Sequence, residues 1–195
     1  IMGMWIIQEC RRRWLKEGEC EDFAGLAKLA EEAAPFRSLF DPDEQRFMAP
    51  GNMPERIRAY CRETNQPVPE TRGEVSRAVY ESLALKYRWA IRRLERDILG
   101  HAVECIHIVG GGSNNTLLNQ MTANASGKPV LAGPGEATAI GNLLVQAMAL
   151  GEIDDLPAMR SIVRASFEPI EFTPKEPAAW NDAYGRFLSL TGLED

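Results

Sequence analysis

Residues 106–115 read "IHIVGGGSNN", and this stretch decides the fold. Its first four residues continue an apolar, β-rich run that begins at Val103, which predicts a buried strand over 103–109. Three consecutive glycines follow, although glycine loses more conformational freedom on folding than any other residue. A strand that ends in such a turn indicates that something lies close to the backbone there.

The hydrophobic period changes on either side of this stretch. Before it, apolar residues recur every three or four positions, as in a long helix; after it, the pattern alternates between helix and short strand. The elements predicted around the glycines are a helix over 72–98, a helix over 114–125, a strand within 128–133 and a helix over 137–150. This order is typical of an α/β fold in which a helical crossover joins two parallel strands.

Helices are also predicted outside this unit, and several have capping residues at their starts. The ranges are 2–16, 21–33, 54–64, 155–166 and 176–190, with an irregular, proline-rich segment over 36–54. Small polar or acidic residues are predicted to cap four helices: Asn52, Thr71 in a capping box with Glu74, Ser113, and Glu136.

The composition limits the class of protein. The 195 residues are 45% hydrophobic and 26% charged, with a net charge of −6 and Lys and Arg spread along the chain. This distribution argues against a nucleic-acid partner, and no apolar run reaches the roughly 20 residues of a membrane helix. The four cysteines form no CxxC pair, and only two histidines accompany them, which argues against a zinc site and predicts reduced thiols in the cytoplasm.

Two common phosphate-binding patterns do not fit the glycine run. The Walker A pattern requires a Lys and a Ser or Thr after its last glycine, and the dinucleotide pattern requires G-x-G-x-x-G. Here the glycines are contiguous and Asn occupies position 115. From residue types alone, a nucleotide-binding turn and a tight turn without a ligand both remain open.

Residues 107–142, "HIVGGGSNNTLLNQMTANASGKPVLAGPGEATAIGN", resemble the nucleotide-binding segment of the FGGY carbohydrate kinases. Three other stretches agree with that family in the expected order: "GMWIIQECRRRW" at 3–14, "RFMAPGNMPERIRAYCRETNQPVPET" at 46–71, and "ESLALKYR" at 81–88. The resemblance implies an α/β fold of the actin-like, ribonuclease H-like ATPase type, helix-rich with a small sheet. The chain would be the C-terminal domain of a two-domain sugar kinase over 1–172, followed by a helical tail over 173–195.

The resemblance also implies a reaction and its partners. ATP with Mg²⁺ would phosphorylate a ketose, L-rhamnulose, on its 1-hydroxyl. The N-terminal half would be the partner of this chain and would carry the phosphate-contacting turns and the catalytic Asp, so no catalytic residue and no metal ligand is expected in this chain. L-Fuculose, xylulose and glycerol kinases are the alternatives within the family; a non-catalytic, actin-like nucleotide-binding module is the alternative outside it.

Five residues match nucleotide-binding positions of the family: Gln8, Gly110, Gly111, Gly112 and Asn115. Gly111 matches an ATP-contacting position, where a backbone without Cβ can lie against the nucleotide. The amide of Asn115 can bond purine nitrogens and is expected to set the choice of purine; its alternative role is to cap a helix. Gln8 matches another ATP-contacting position, and its alternative is an exposed helix residue.

Two groups of polar residues receive structural interpretations instead. Asp41, Asp43 and Glu44 lie in the proline-rich segment and are interpreted as turn formers and solvated charges, not as a metal site. His107 is interpreted as a structural strand residue, because no cysteine or aspartate partner is placed in the sequence to activate it.

Overall fold

The computed structural model describes all 195 residues. Eight α-helices and three short strands make up the chain, and none of the helices is both long and apolar enough to cross a membrane. The helices are α1 (Trp5–Lys16), α2 (Phe23–Glu32), α3 (Met53–Glu63), α4 (Arg72–Leu94), α5 (Thr116–Ser126), α6 (Ala137–Ala149), α7 (Leu156–Ser166) and α8 (Pro177–Thr191), and the strands are β1 (Ile106–Ile108), β2 (Val130–Ala132) and β3 (Ile170–Phe172). The predicted helices are therefore all present, and α4 is extended by a π-helical turn over Glu95–Leu99.

The sheet has the order β1-β2-β3. β1 and β2 are parallel, with Ile106 opposite Val130, and α5 forms the crossover between them as the sequence predicted. β3 pairs antiparallel with β2, with Phe172 opposite Val130. The sequence pattern did not predict β3, because three residues, two of them exposed, are too short a run to show an alternation.

Helix α4 lies at the centre of the hydrophobic core, with most of its first four turns buried. The Thr71 and Glu74 side chains form the predicted capping box at its start, and the Asn52 side chain caps α3 as predicted. At Gly73 the backbones of α4 and α2 approach so closely that a Cβ there would lie 2.5 Å from the carbonyl oxygen of Leu29. This contact fixes where α2 lies.

Two buried charges of α4 organise the proline-rich segment. Lys86 is 4% exposed, and its Nζ lies 2.9 Å from Asp41 and 3.4 Å from Asp43. The prediction of turn formers is confirmed for Asp41, whose Oδ1 accepts a hydrogen bond from Asp43 N at 2.9 Å. The interpretation of the two aspartates as solvated charges was wrong, because they pair with a buried cation that lies far away in the sequence. Glu81, 1% exposed, accepts hydrogen bonds from Phe36 N at 2.8 Å and from Arg77 Nε at 2.7 Å.

Burial changes the pKa of Glu81 more than these hydrogen bonds do. It raises the pKa of this carboxyl from 4.5 to about 7, while Arg77 and the Phe36 amide oppose the rise. A buried carboxyl favours its neutral form because the ionised form loses its hydration.

Helix α6 differs from the other helices, since none of its residues is buried. Leu143 is 68% exposed, and Leu150, directly after the helix, is 80% exposed. Glu136 precedes the helix, but its side chain makes no capping hydrogen bond, so that predicted cap was wrong. Its backbone, with φ −102° and ψ 38°, is not the extended conformation from which side-chain caps usually reach the first turn.

Candidate functional site

The three glycines differ in what the structure requires of them. Gly110 has φ +77° and ψ −166°, a conformation that is almost confined to glycine, and its N–H donates to Pro134 O at 3.0 Å. Gly111 and Gly112 do not have a positive φ and begin a 3₁₀ turn over Gly111–Asn114. A Cβ added to Gly111 would meet nothing within 4 Å, so this glycine borders open space.

The 3₁₀ turn moves the start of α5 and changes which residue caps it. Asn115 Oδ1 accepts a hydrogen bond from Leu118 N at 3.0 Å, so Asn115 is the cap. The prediction that Ser113 caps this helix was wrong, because Ser113 lies within the 3₁₀ turn and its Oγ donates to Gly110 O at 2.7 Å. Asn119 Nδ2 donates to Ser113 O at 2.8 Å and holds the turn from the other side.

The side-chain amide of Asn115 lies next to the hydroxyl of Tyr80. The Tyr80 hydroxyl is buried and has no hydrogen-bond partner of normal geometry. Burial raises the pKa of Tyr80 to about 12, and the nearby Asn115 side chain opposes that rise. The Asn115 side chain thus points its oxygen into the helix and keeps its N–H groups as donors.

Four of the five predicted site residues line a single cleft with a volume of about 800 Å³: Gln8, Gly111, Gly112 and Asn115. Gly110 does not line it and instead shapes the turn. The size falls within the range of about 300–1,000 Å³ that is usual for small-molecule sites. The structure therefore brings together residues that lie more than 100 positions apart in the sequence.

The cleft has a second wall that sequence reasoning missed. Helix α2 contributes Phe23, Ala24, Ala27, Lys28 and Glu31, together with its cap Asp22. The remaining lining residues are Met4 from the chain before α1, and Asn114, Thr116 and Leu117 next to the glycine run. The sequence contains no separate signal for this wall, because Phe23 stands at helical spacing from the buried Leu26 and Ala30 and yet is itself 41% exposed.

The site combines apolar surface with hydrogen-bonding groups. Phe23, Ala24 and Ala27 are apolar, while Gln8 and Asn115 present amides that can donate or accept. Lys28 is the only cationic side chain in the lining, and it forms no ion pair within the chain. The lining also includes the carboxylates of Asp22 and Glu31. Such an arrangement suits a flat, partly apolar ligand that carries hydrogen-bonding edges.

Acidic and sulfur-containing side chains do not assemble into a metal site. No group of three or more His, Cys, Asp or Glu residues could hold an ion. The statement that His107 has no cysteine partner was wrong, since Cys105 Sγ lies 3.3 Å from His107 Nε2. Cys105 directly precedes strand β1 and His107 lies within it, and neither residue lines the cleft.

Comparison with known proteins decides the family. The model of the C-terminal domain of the FGGY family of carbohydrate kinases matches residues 1–150. The chain belongs to the FGGY family of carbohydrate kinases. The predicted resemblance and the predicted fold class, a helix-rich α/β domain of this family with a small sheet, are confirmed.

Two curated relatives that match most of this chain are both rhamnulokinases. The chain is 46% identical over 187 residues to a rhamnulokinase of Bacteroides thetaiotaomicron, covering 96% of this chain and 38% of the relative. It is 47% identical over 168 residues to a rhamnulokinase of Oceanobacillus iheyensis, covering 86% of this chain and 35% of the relative. The chain thus spans little more than a third of the length of these relatives.

Solved FGGY structures have the same fold. A xylulose kinase from Rhodospirillum rubrum superposes with a TM-score of 0.62 at 25% identity, over 96% of this chain and 37% of that one. A Plasmodium falciparum glycerol kinase crystallised with ADP superposes with a TM-score of 0.63 at 15% identity, over 95% of this chain and 37% of that one. The boundary predicted between a domain at 1–172 and a tail at 173–195 is not decided by these matches and stays a prediction.

Proposed function

We propose that this chain is the nucleotide-binding half of an ATP-dependent kinase that phosphorylates L-rhamnulose on its 1-hydroxyl. One observation carries the proposal: Gln8, Gly111, Gly112 and Asn115, chosen from the sequence as nucleotide contacts, line one cleft. The substrate follows from the rhamnulokinases that are 46% and 47% identical to this chain.

Each of these residues has a role that its surroundings support. Gly111 and Gly112 present backbone without side chains, so a nucleotide can lie flat against them. Asn115 offers N–H groups, because its oxygen is used by the helix cap. Gln8 is an exposed side chain of α1 on the same cleft, and its amide can bond the base or the ribose. Gly110 supports the site by holding the turn.

The proposed reaction needs groups that this chain does not provide. Phosphoryl transfer depends on positioning the phosphates and neutralising their charge. We propose that Mg²⁺ arrives with the phosphates of ATP, since these residues form no metal site of their own. The sugar, the catalytic Asp and the phosphate-contacting turns would belong to an N-terminal half that closes over the cleft, and we propose a cytoplasmic enzyme.

Two competing functions are distinguishable. Xylulose and glycerol kinases share the fold, as the superpositions above support, and L-fuculose is a third alternative substrate. A non-catalytic nucleotide-binding module would use the same cleft without turnover. The alternatives differ in whether ADP is released, and in which sugar causes its release.

The test compares two proteins: this chain alone, and a full-length kinase that contains this chain together with an N-terminal half. A coupled assay for ADP is run with L-rhamnulose, L-fuculose, xylulose and glycerol in turn. We expect turnover only in the full-length protein and fastest with L-rhamnulose, and we expect the chain alone to bind ATP without turnover. ADP release by the chain alone in proportion to its concentration, or a preference for another sugar, would contradict the proposal.

A further inference from the structure

The four cysteines of the chain differ in whether a molecule from solution can reach them. Cys10 and Cys61 are fully buried, and burial raises the pKa of both thiols. Cys20 is exposed in the loop between α1 and α2, and Cys105 is partly exposed just before β1. All four are free thiols. While the chain is folded, only Cys20 and Cys105 are therefore able to react with a dissolved reagent.

Of these two accessible thiols, Cys105 has a base beside it. Its Sγ lies 3.3 Å from His107 Nε2, which is within hydrogen-bonding distance for sulfur. Cys20 has no histidine beside it, and the residues on either side of it in the chain are Glu19 and Glu21. A carboxylate disfavours a nearby thiolate, whereas an imidazole accepts the thiol proton and then stabilises the thiolate as an imidazolium. The surroundings of Cys105 thus favour the reactive form of the thiol, and those of Cys20 do not.

Strand β1 holds the histidine of this pair in place. On one side of His107, Ile106 N donates to Pro129 O at 2.9 Å, and on the other side Ile108 O accepts from Gly133 N at 2.8 Å. β1 is the edge strand of the sheet, and the His107 side chain is exposed. The base is therefore fixed by the backbone on the side of β2 and remains accessible to a small molecule.

We propose that Cys105 and His107 form a reactive thiol site whose substrates are small disulfide molecules. His107 Nε2 accepts the proton of the thiol, and the Cys105 thiolate attacks one sulfur of the disulfide. A bond forms between Cys105 Sγ and that sulfur while the S–S bond of the small molecule breaks, and the departing thiolate takes the proton from the His107 imidazolium. Cys105 is thereby oxidised to a mixed disulfide, and the other half of the small molecule is reduced to a free thiol.

The size of the effect follows from the thiolate fraction. An ordinary cysteine, with a pKa of about 8.5, is only a few per cent thiolate at neutral pH, so a neighbouring base raises the rate by at most about thirtyfold through this fraction. A less basic thiolate is also a weaker nucleophile, which reduces the gain. We therefore expect Cys105 to react about tenfold faster than Cys20. Neither Cys105 nor His107 lines the nucleotide cleft, so this inference does not rest on the function proposed above.

The experiment treats the folded chain at neutral pH with the disulfide of mercaptoethanol, which is uncharged. Mass spectrometry of the peptides measures the rate of modification at each cysteine, so Cys20 serves as the internal reference. His107→Gln removes the base, and His101→Gln is the matched control, because His101 contacts the carbonyl oxygen of Ala102 and no thiol. Thermal unfolding of each variant checks the fold, and the unmodified chain is also measured after unfolding in urea.

His107→Gln should lower the rate at Cys105 to within about twofold of the rate at Cys20, whereas His101→Gln should leave it unchanged. The two buried cysteines should react only in urea, where all four rates should agree within about threefold because the contact with His107 depends on the fold. Equal rates at Cys105 and Cys20 in the folded, unmodified chain would overturn the inference, and that comparison needs no variant. A fast reaction at Cys105 that persists in a folded His107→Gln, or in urea, would overturn it as well.

Discussion

Gly110 and Gly111 are neighbours, but we predict that they are required for different reasons. Gly110 has φ +77° and ψ −166°, so Gly110→Ala is expected to cost about 1–3 kcal/mol of folding free energy. For a domain of this size, such a loss lowers Tm by roughly 2–12 °C. Gly111 has neither a positive φ nor a neighbour within 4 Å of an added Cβ. Gly111→Ala should therefore keep the Tm or raise it slightly, since alanine restricts the unfolded chain.

Ligand binding should reverse the order of the two variants. Gly111→Ala places a methyl group where the nucleotide is proposed to lie, which costs about 1–3 kcal/mol on the scale of overpacking. That cost corresponds to about ten- to hundredfold weaker ATP binding. Gly110 does not line the cleft but holds the turn that presents Gly111 and Gly112, so Gly110→Ala should weaken ATP binding less than Gly111→Ala does.

The assay is Tm by circular dichroism and Kd for MgATP by calorimetry, below the midpoints of all variants. Each variant serves as the control for the other, because both change one glycine to alanine within the same turn. Unchanged ATP affinity in a well-folded Gly111→Ala would refute the placement of the nucleotide. An unchanged Tm in Gly110→Ala would refute the role assigned to its backbone.

Three further perturbations test the fold and its coupling to the cleft. Asn115→Ala removes the cap of α5 and should lower the free energy of unfolding by about 1 kcal/mol, whereas Asn115→Asp should keep the cap and the stability. Urea unfolding of both variants measures the difference. The Glu81 pKa of about 7 lies above its ordinary 4.5, so the folded state holds the extra proton and stability should fall as pH rises from about 4.5 to 7. Glu81→Gln should make the free energy of unfolding, measured by denaturant titration, less dependent on pH across this range. An unchanged pH dependence in this variant would contradict the prediction. Gly73→Ala should lower the free energy of unfolding by about 1–3 kcal/mol, because its Cβ would collide with the Leu29 carbonyl oxygen. It should also weaken ATP binding, because the collision displaces α2. The control Gly141→Ala lies in open space and should be as stable as the unmodified chain or more stable.

Local patterns in the sequence predicted all eight α-helices and the central βαβ unit. The capping box at Thr71 and Glu74 depends on residues three positions apart, and it is present in the structure. The family motifs placed four residues that line the cleft. These successes share one property: each signal lies within a few residues or within a recognised segment.

The remaining features depend on pairings that no local pattern contains. β3 exists because it pairs with β2 about 40 positions earlier, and Lys86 is buried because Asp41 comes to it from another segment. The cap of α5 moved from Ser113 to Asn115 because a 3₁₀ turn intervenes between strand and helix. The α2 wall is visible only after packing shows which side of the helix faces the cleft.

The hydrogen bond from Leu118 N to Asn115 Oδ1 has a consequence for which nucleotides the proposed site can bind. With its oxygen engaged, the Asn115 amide can only donate, so it detects an acceptor on the base. Adenine and guanine both carry an acceptor at N7, and a donor placed there does not separate them. The prediction that Asn115 sets the choice of purine therefore depends on which edge of the base its amide meets. N1 accepts in adenine but carries a proton in guanine, so a donor that faces N1 would favour ATP, whereas a donor that faces N7 would bind GTP equally well.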